Sequence, residues 1–147
     1  MKVILTSFRD SNNWKGIKCS IARWQPDWSS MSEFPVNIKP IIQHSFGTKP
    51  NVTIRNEILT EKMKPTVYRI KYEEILRQKY NELIDFFGKI ESDEDLILCC
   101  WCTLDRQPQF KGKLFCHRIL LGYWIEENFK YFQVIYADGA ENSIWKR

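Results

Sequence analysis

Apolar and polar positions alternate between two kinds of pattern along this chain. Val3-Ile4-Leu5-Thr6-Ser7 is a short apolar run closed by small hydroxyl residues, which predicts a buried strand. Asp10 to Gly16 is rich in turn formers, and Ile17 to Ala22 alternates as a second strand does. Arg23 to Pro50 has no period and carries five prolines and glycines at Pro26, Pro35, Pro40, Gly47 and Pro50, so it reads as a long irregular cover. Within Asn51 to Lys64, Asn56 to Met63 fits a short helix that Lys64-Pro65 stops. Thr66 to Phe87 has the clearest helical stripe, through Tyr68, Tyr72, Ile75, Leu76, Tyr80, Leu83, Ile84 and Phe87, with Gly88 just past its end. Glu91 to Asp95 is an acidic turn. Leu96 to Trp101 is a continuous apolar run, the mark of a central parallel strand covered on both faces. Thr103 to Phe115 is a polar loop. Cys116 to Asn128 is an amphipathic helix with Ile119, Leu120, Tyr123 and Trp124 inward, and Phe132 to Tyr136 a last strand. Trp145 is placed to pin the tail.

That order predicts one α/β domain over residues 1–147, with a mostly parallel sheet in a three-layer arrangement. Such sheets take ligands beyond the carboxyl ends of their strands. Thr6 and Ser7 close the first strand, Arg23 and Trp24 follow the second, and Cys100, Trp101 and Cys102 end the third.

Bulk composition narrows the classes. The chain of 147 residues is 44% hydrophobic and 27% charged, which suits a globular domain and excludes a disordered one. A formal charge of +4, spread without a basic block, permits nucleotide or nucleic-acid contact without demanding it. No apolar run reaches the length of a membrane span, and Met1 to Leu5 runs straight into strand pattern, so no membrane association is expected. Five cysteines, three of them consecutive or nearly so, make a poor disulfide framework. They point to a reducing cytoplasm, with thiols free or on a metal.

Three chemistries compete around those thiols. Cys100, Cys102, Cys116 and His117 offer thiolate and imidazole ligands for zinc. Cys100 and Cys102 share a strand face from which Cys99 points away. Against this, buried cysteines are common as plain core residues. Cys116 at a helix start, beside His117, is a candidate nucleophile through a dipole-stabilised thiolate. Arg118 and the helix N–H groups suit phosphate without catalysis or metal. Arg23-Trp24-Gln25-Pro26-Asp27-Trp28 combines a cation with two indoles that suit a base, although a proline-bent loop covering the sheet would look the same. The acids Asp10, Glu73, Glu74 and Asp105 form no catalytic pair in sequence, and His44 stands alone.

Six segments together resemble a known family: Val3 to Ser7, Ser20-Ile21-Ala22, Pro26-Asp27-Trp28, the helix with Tyr72, Glu74, Ile75 and Leu76, Ile97 to Cys102, and Cys116-His117-Arg118. Their kind and order are similar to the domain of unknown function 488 family of bacteria and phages. The family's glutamate two places after the strand cysteine is Cys102 here, and the loop before Cys-His-Arg is longer. The resemblance implies a Rossmann-like α/β domain associated with nucleotides or nucleic acids, and no particular reaction.

The leading expectation is therefore a strand-end pocket that binds a phosphate-bearing nucleotide-like or nucleic-acid ligand, with enzymatic processing of that ligand left open. Arg118 and Arg23 would hold the anion, and Trp24, Trp28 or Trp101 would cover the base. Thr6 and Ser7 would line the pocket, and Cys116 and His117 would shape it or act chemically. The alternative is a non-catalytic interaction protein, for example a phage protein with a host protein partner, stiffened by a thiol or zinc cluster.

Overall fold

The computed structural model describes residues 1–23, 25–26, 28–40, 64–90, 93–106, 110–137 and 140–145. Among them five strands form one sheet: β1 (Lys2–Ser7), β2 (Ile17–Ser20), β3 (Ser32–Glu33), β4 (Leu96–Cys100) and β5 (Gln133–Tyr136). Three α-helices accompany it: α1 (Pro65–Gln78), α2 (Tyr80–Lys89) and α3 (His117–Asn128). The strand order is β3-β2-β4-β1-β5 and every pairing is parallel. This is the α/β three-layer class that the pattern predicts.

The two longest apolar runs become the two interior strands. All five residues of β4 are buried, as are Val3 to Ser7 of β1. Val3, Leu5 and Ser7 pair with Leu96, Leu98 and Cys100 and share a face; Ile4 and Thr6 pair with Ile97 and Cys99 on the other. Both faces are covered, since Leu5, Leu98, Ile97 and Cys99 are all inaccessible to solvent. The α3 helix lies against the Leu5 face. Its Gly122 sits so close to the Leu5 and Tyr136 side chains that an added Cβ would fall 2.4 Å from Leu5 Cδ1.

Several boundaries differ from the pattern. The single helix expected over Thr66 to Phe87 is two helices, parted at Lys79, whose backbone turns to φ −98°, ψ 11°. Buried Tyr68 and Tyr72 face Phe115, His117 and Trp145, whereas Phe86 and Phe87 face Phe34, Phe129 and Phe132. The two halves serve different neighbours, and the break lets each aim at its own. Gly88 lies inside α2, one residue short of its end. Strand β3 falls in the segment read as irregular, and β2 stops at Ser20 where Ser20 O accepts from Phe34 N at 2.9 Å. The expected helix over Asn56 to Met63, together with Trp24 and His44, lies outside the described residues.

Trp145 does pin the tail: its ring packs 5.0 Å from Phe115 and its Nε1 donates to Pro65 O at 2.8 Å. A second long-range tie is Tyr72, buried, whose hydroxyl donates to Ile38 O at 2.7 Å. Tyr72→Phe removes that donor and nothing else. It should lower unfolding free energy by about 1–3 kcal/mol. A change below about 0.5 kcal/mol in a urea titration, the range of a neutral surface change, would show that Ile38 O finds another partner. Among the described residues no helix is long and apolar enough to cross a membrane.

Candidate thiol centre and strand-end cavity

Parallel pairing brings the ends of β1, β2 and β4 to one rim. The chain continues the ladder just past it, with Phe8 N on Cys100 O at 2.9 Å and Ile21 N on Cys99 O at 3.0 Å. The start of α3 is delivered to the same rim. Leu114, three residues earlier, donates its N–H to Asn142 O and gives its own carbonyl to Ile144 N. Cys116 is the N-cap of α3, in extended conformation, and not its first helical residue.

Three thiols meet there. The Sγ atoms of Cys100, Cys102 and Cys116 all lie within 4.8 Å of one another, and all three residues are buried. Three buried cysteines this close could hold a metal ion. Cys100 Sγ and Cys116 Sγ are 2.9 Å apart. Cys99 points to the opposite face, as strand parity requires, and burial, with the neighbouring Cys100 charge, pushes its thiol up to about 12. All five cysteines are free thiols.

Arg118 is the largest fully buried side chain, at 0% exposure. Its Nη1 donates to Cys100 Sγ at 3.1 Å and to Cys102 O at 2.8 Å, and its Nη2 to Ala137 O at 3.4 Å. This contact sets the electrostatics. Burial opposes a Cys100 thiolate, but hydrogen bonds from Cys102 and Cys116 and the Arg118 charge outweigh it and hold Cys100 well below the usual thiol range. Burial and hydrogen bonding to Cys100 push Cys102 and Cys116 well above that range. Burial works against the Arg118 charge, and the facing Cys100 thiolate more than restores it. Without metal the electrostatics favour charge on Cys100 over Cys102 and Cys116, with the guanidinium facing it.

His117 is buried, and burial lowers its pKa toward the neutral imidazole. Its Nε2 is 2.8 Å from Ile21 O, and its Nδ1 is 3.8 Å from Cys116 Sγ. Its ring meets the Tyr72 ring edge-on at 5.3 Å.

The cluster is closed to solvent, so the open anion pocket expected around Arg118 is absent at that residue: its guanidinium faces sulfur and carbonyl oxygen inside the fold. Buried Cys116 likewise faces Cys100 and no open cleft. Of the other expected ligand residues, Thr6 projects on the face away from the thiols, and its Oγ1 has no hydrogen-bond partner among the described residues. Ser7 shares the Cys100 face and bonds Asp10 Oδ2 at 3.1 Å. Arg23 is half-buried just after β2.

The open space at the rim is a neighbouring cavity of about 210 Å³, lined by Phe8, Arg9, Trp28, Trp101 and Thr103. Trp101 is 7% exposed and meets Phe8 edge-on at 5.4 Å, forming its floor. Trp28 stands at 67% exposure, unusual for an indole. A second cavity, about 310 Å³, shares Trp28 and adds Lys18, Asn12 and Ser29. Arg9 Nη1 makes two contacts of 3.0 Å to the carboxylate of Asp105, joining the connection after β1 to the one after β4. The structure thus brings Trp28 and Trp101 to one cavity and leaves Arg118, Arg23, Thr6 and Ser7 out of its lining. Sequence reasoning missed Phe8, Arg9 and Thr103. The signal was present, since each sits within three residues of a strand's carboxyl end.

Fold and site together define an α/β domain with an all-parallel sheet, whose strand ends carry a buried three-cysteine cluster and, beside it, an aromatic cavity. Compared with protein-family models, with curated proteins and with solved structures, the chain gives no match.

Proposed function

We propose that this protein is a binding domain for a phosphate-bearing, nucleotide-like ligand, seated at the carboxyl ends of β1 and β4. The observation that carries the reading is the cavity of Phe8, Arg9, Trp28, Trp101 and Thr103. It combines aromatic faces that suit a planar base with a guanidinium that suits phosphate. Its place at the strand ends of a parallel sheet is where α/β folds bind ligands. The resemblance to the domain of unknown function 488 family supports the same Rossmann-like reading of the rim. Arg9 takes the anion-holding part, in exchange for its exposed pairing with Asp105, which contributes little to stability.

The ion assigned to the thiol cluster is zinc, because buried thiolate sites suit it. Five free thiols suit a reducing compartment, which supports a cytoplasmic reading. No reaction is assigned.

A thermal-shift panel of nucleoside mono-, di- and triphosphates tests the ligand. A member present at a hundredfold excess over its dissociation constant should stabilise the protein by about 2.7 kcal/mol. Trp28→Ala should abolish that shift while leaving unliganded stability within about 0.5 kcal/mol, as for other exposed positions. A panel with no shift, or a shift that survives both Trp28→Ala and Arg9→Ala, overturns the reading. The interaction-protein alternative then takes its place, with Trp28 as the natural anchor for a protein partner.

A further inference from the structure

We propose that His117 Nδ1 completes a four-coordinate Cys3His zinc centre with Cys100, Cys102 and Cys116, and that Arg118 is its buried counter-charge. This rests on the zinc reading above and is independent of the nucleotide.

The tautomer of His117 is the first support. Ile21 O, 2.8 Å from Nε2, can only accept, so the single ring proton of a neutral imidazole sits on Nε2. Nδ1 therefore carries the lone pair, and it is on the Cys116 side of the ring, 3.8 Å from Cys116 Sγ. A ligating histidine whose other nitrogen donates to a backbone carbonyl is the usual outer-shell arrangement around zinc. Here that carbonyl belongs to the residue just after β2, so the ring orientation is fixed by the sheet itself. The Tyr72 ring, edge-on at 5.3 Å, packs against the imidazole.

Spacing is the second. Zinc–sulfur bonds of about 2.3 Å place tetrahedral sulfurs about 3.8 Å apart. The three Sγ atoms, all within 4.8 Å, surround a space of that scale. The Cys100–Cys116 pair, at 2.9 Å, must open by roughly 1 Å to admit the ion, and His117 Nδ1, which stands outside the group of thiols lying within 4.8 Å of one another, must close on the centre from its present 3.8 Å to Cys116 Sγ. Cys116 precedes the first turn of α3 and Cys102 lies beyond the end of β4. Neither is a mid-strand or mid-helix position, so that adjustment does not break a ladder.

Charge is the third. A dication with three thiolates and a neutral imidazole carries one net negative charge, and a buried net charge is costly unless paired. Arg118 supplies one positive charge with Nη1 3.1 Å from Cys100 Sγ. It also donates to Cys102 O and Ala137 O, so one guanidinium clamps a ligand's sulfur, another ligand's backbone and the residue after β5. With four protein ligands and no solvent access the centre has no open position, and its role is structural: it fastens the strand-end rim to the start of α3.

The test uses the full chain purified with metal, with elemental analysis and cobalt substitution. The wild type should hold one zinc per chain, and its cobalt form should show the intense ligand-field bands of a tetrahedral thiolate-rich site. His117→Ala should weaken zinc binding about tenfold or more in a chelator competition, and should change those bands. His117→Cys should recover the affinity, with bands moved to longer wavelength by a fourth thiolate. Arg118→Met should weaken zinc binding more than Arg118→Lys, which keeps the charge. Stoichiometric zinc with cobalt bands unchanged in His117→Ala would overturn the fourth ligand while leaving the zinc reading standing. Protein without bound metal, or with Cys100 and Cys116 joined as a disulfide when isolated, would overturn both.

Discussion

Arg118→Met should destabilise the protein by about 3–5 kcal/mol, the largest effect expected of any single side chain here. Arginine is almost never fully buried unless paired, and Arg118 is inaccessible to solvent. Methionine approximates the length of the stem but provides no donor. The change strands Cys102 O and Ala137 O and removes the charge that faces the Cys100 thiolate. Cys100 can answer by taking up a proton, which caps the electrostatic part of the loss, but the carbonyls have no such escape. Arg118→Lys should recover only part of the deficit, because a single ammonium cannot reach sulfur and two carbonyls with the spread of a planar fork. Urea unfolding of the metal-free protein separates this from any metal effect. A loss below about 1 kcal/mol would mean the guanidinium is dispensable to the fold.

Gly16→Ala should come next, at about 3 kcal/mol or more. Gly16 sits at φ +154°, and a Cβ there would lie 2.2 Å from Asp95 O, a backbone atom. That oxygen cannot swing aside, since it accepts Ile17 N at 2.8 Å and so opens the β2–β4 pairing. Gly88→Ala is the matched control. It lies within α2 with nothing within 4 Å of its would-be Cβ, so alanine should raise stability by about 0.5–1 kcal/mol. Equal thermal midpoints for the two variants would show that the β1–β2 connection is free to shift.

Part of this architecture was legible from residue order. Val3 to Ser7 read as a buried strand and Leu96 to Trp101 as a central one because a strand buried on both faces needs no alternation; the second ends one residue earlier, at Cys100. Period two placed Cys100 with Cys102 and away from Cys99, and a helix start at Cys116 supplied the third thiol. What was hidden has physical causes. Tyr68, Tyr72, Leu76, Leu83 and Phe87 stay in one helical phase across Lys79, so periodicity passes over a break that only the differing partners require. Strand β3 is too short to carry a period. Arg118 reads as a phosphate-holding cation at a helix start; its burial depends on three acceptors contributed by β4, the chain beyond it and the chain beyond β5, which no local pattern shows. Arg9 and Thr103 carry no motif, and only their distance from a strand end marks them.

Strand β1 has no neighbour in the sheet until late in the chain. Its two partners, β4 and β5, start at Leu96 and Gln133. During synthesis Val3, Ile4 and Leu5 therefore emerge from the ribosome with no edge to join, and wait for more than half the polypeptide. A topology so dominated by distant pairings folds slowly and leaves sticky segments open to self-association. Production of this protein should respond to holding chaperones and to slower translation far more than a local hairpin fold of the same size would.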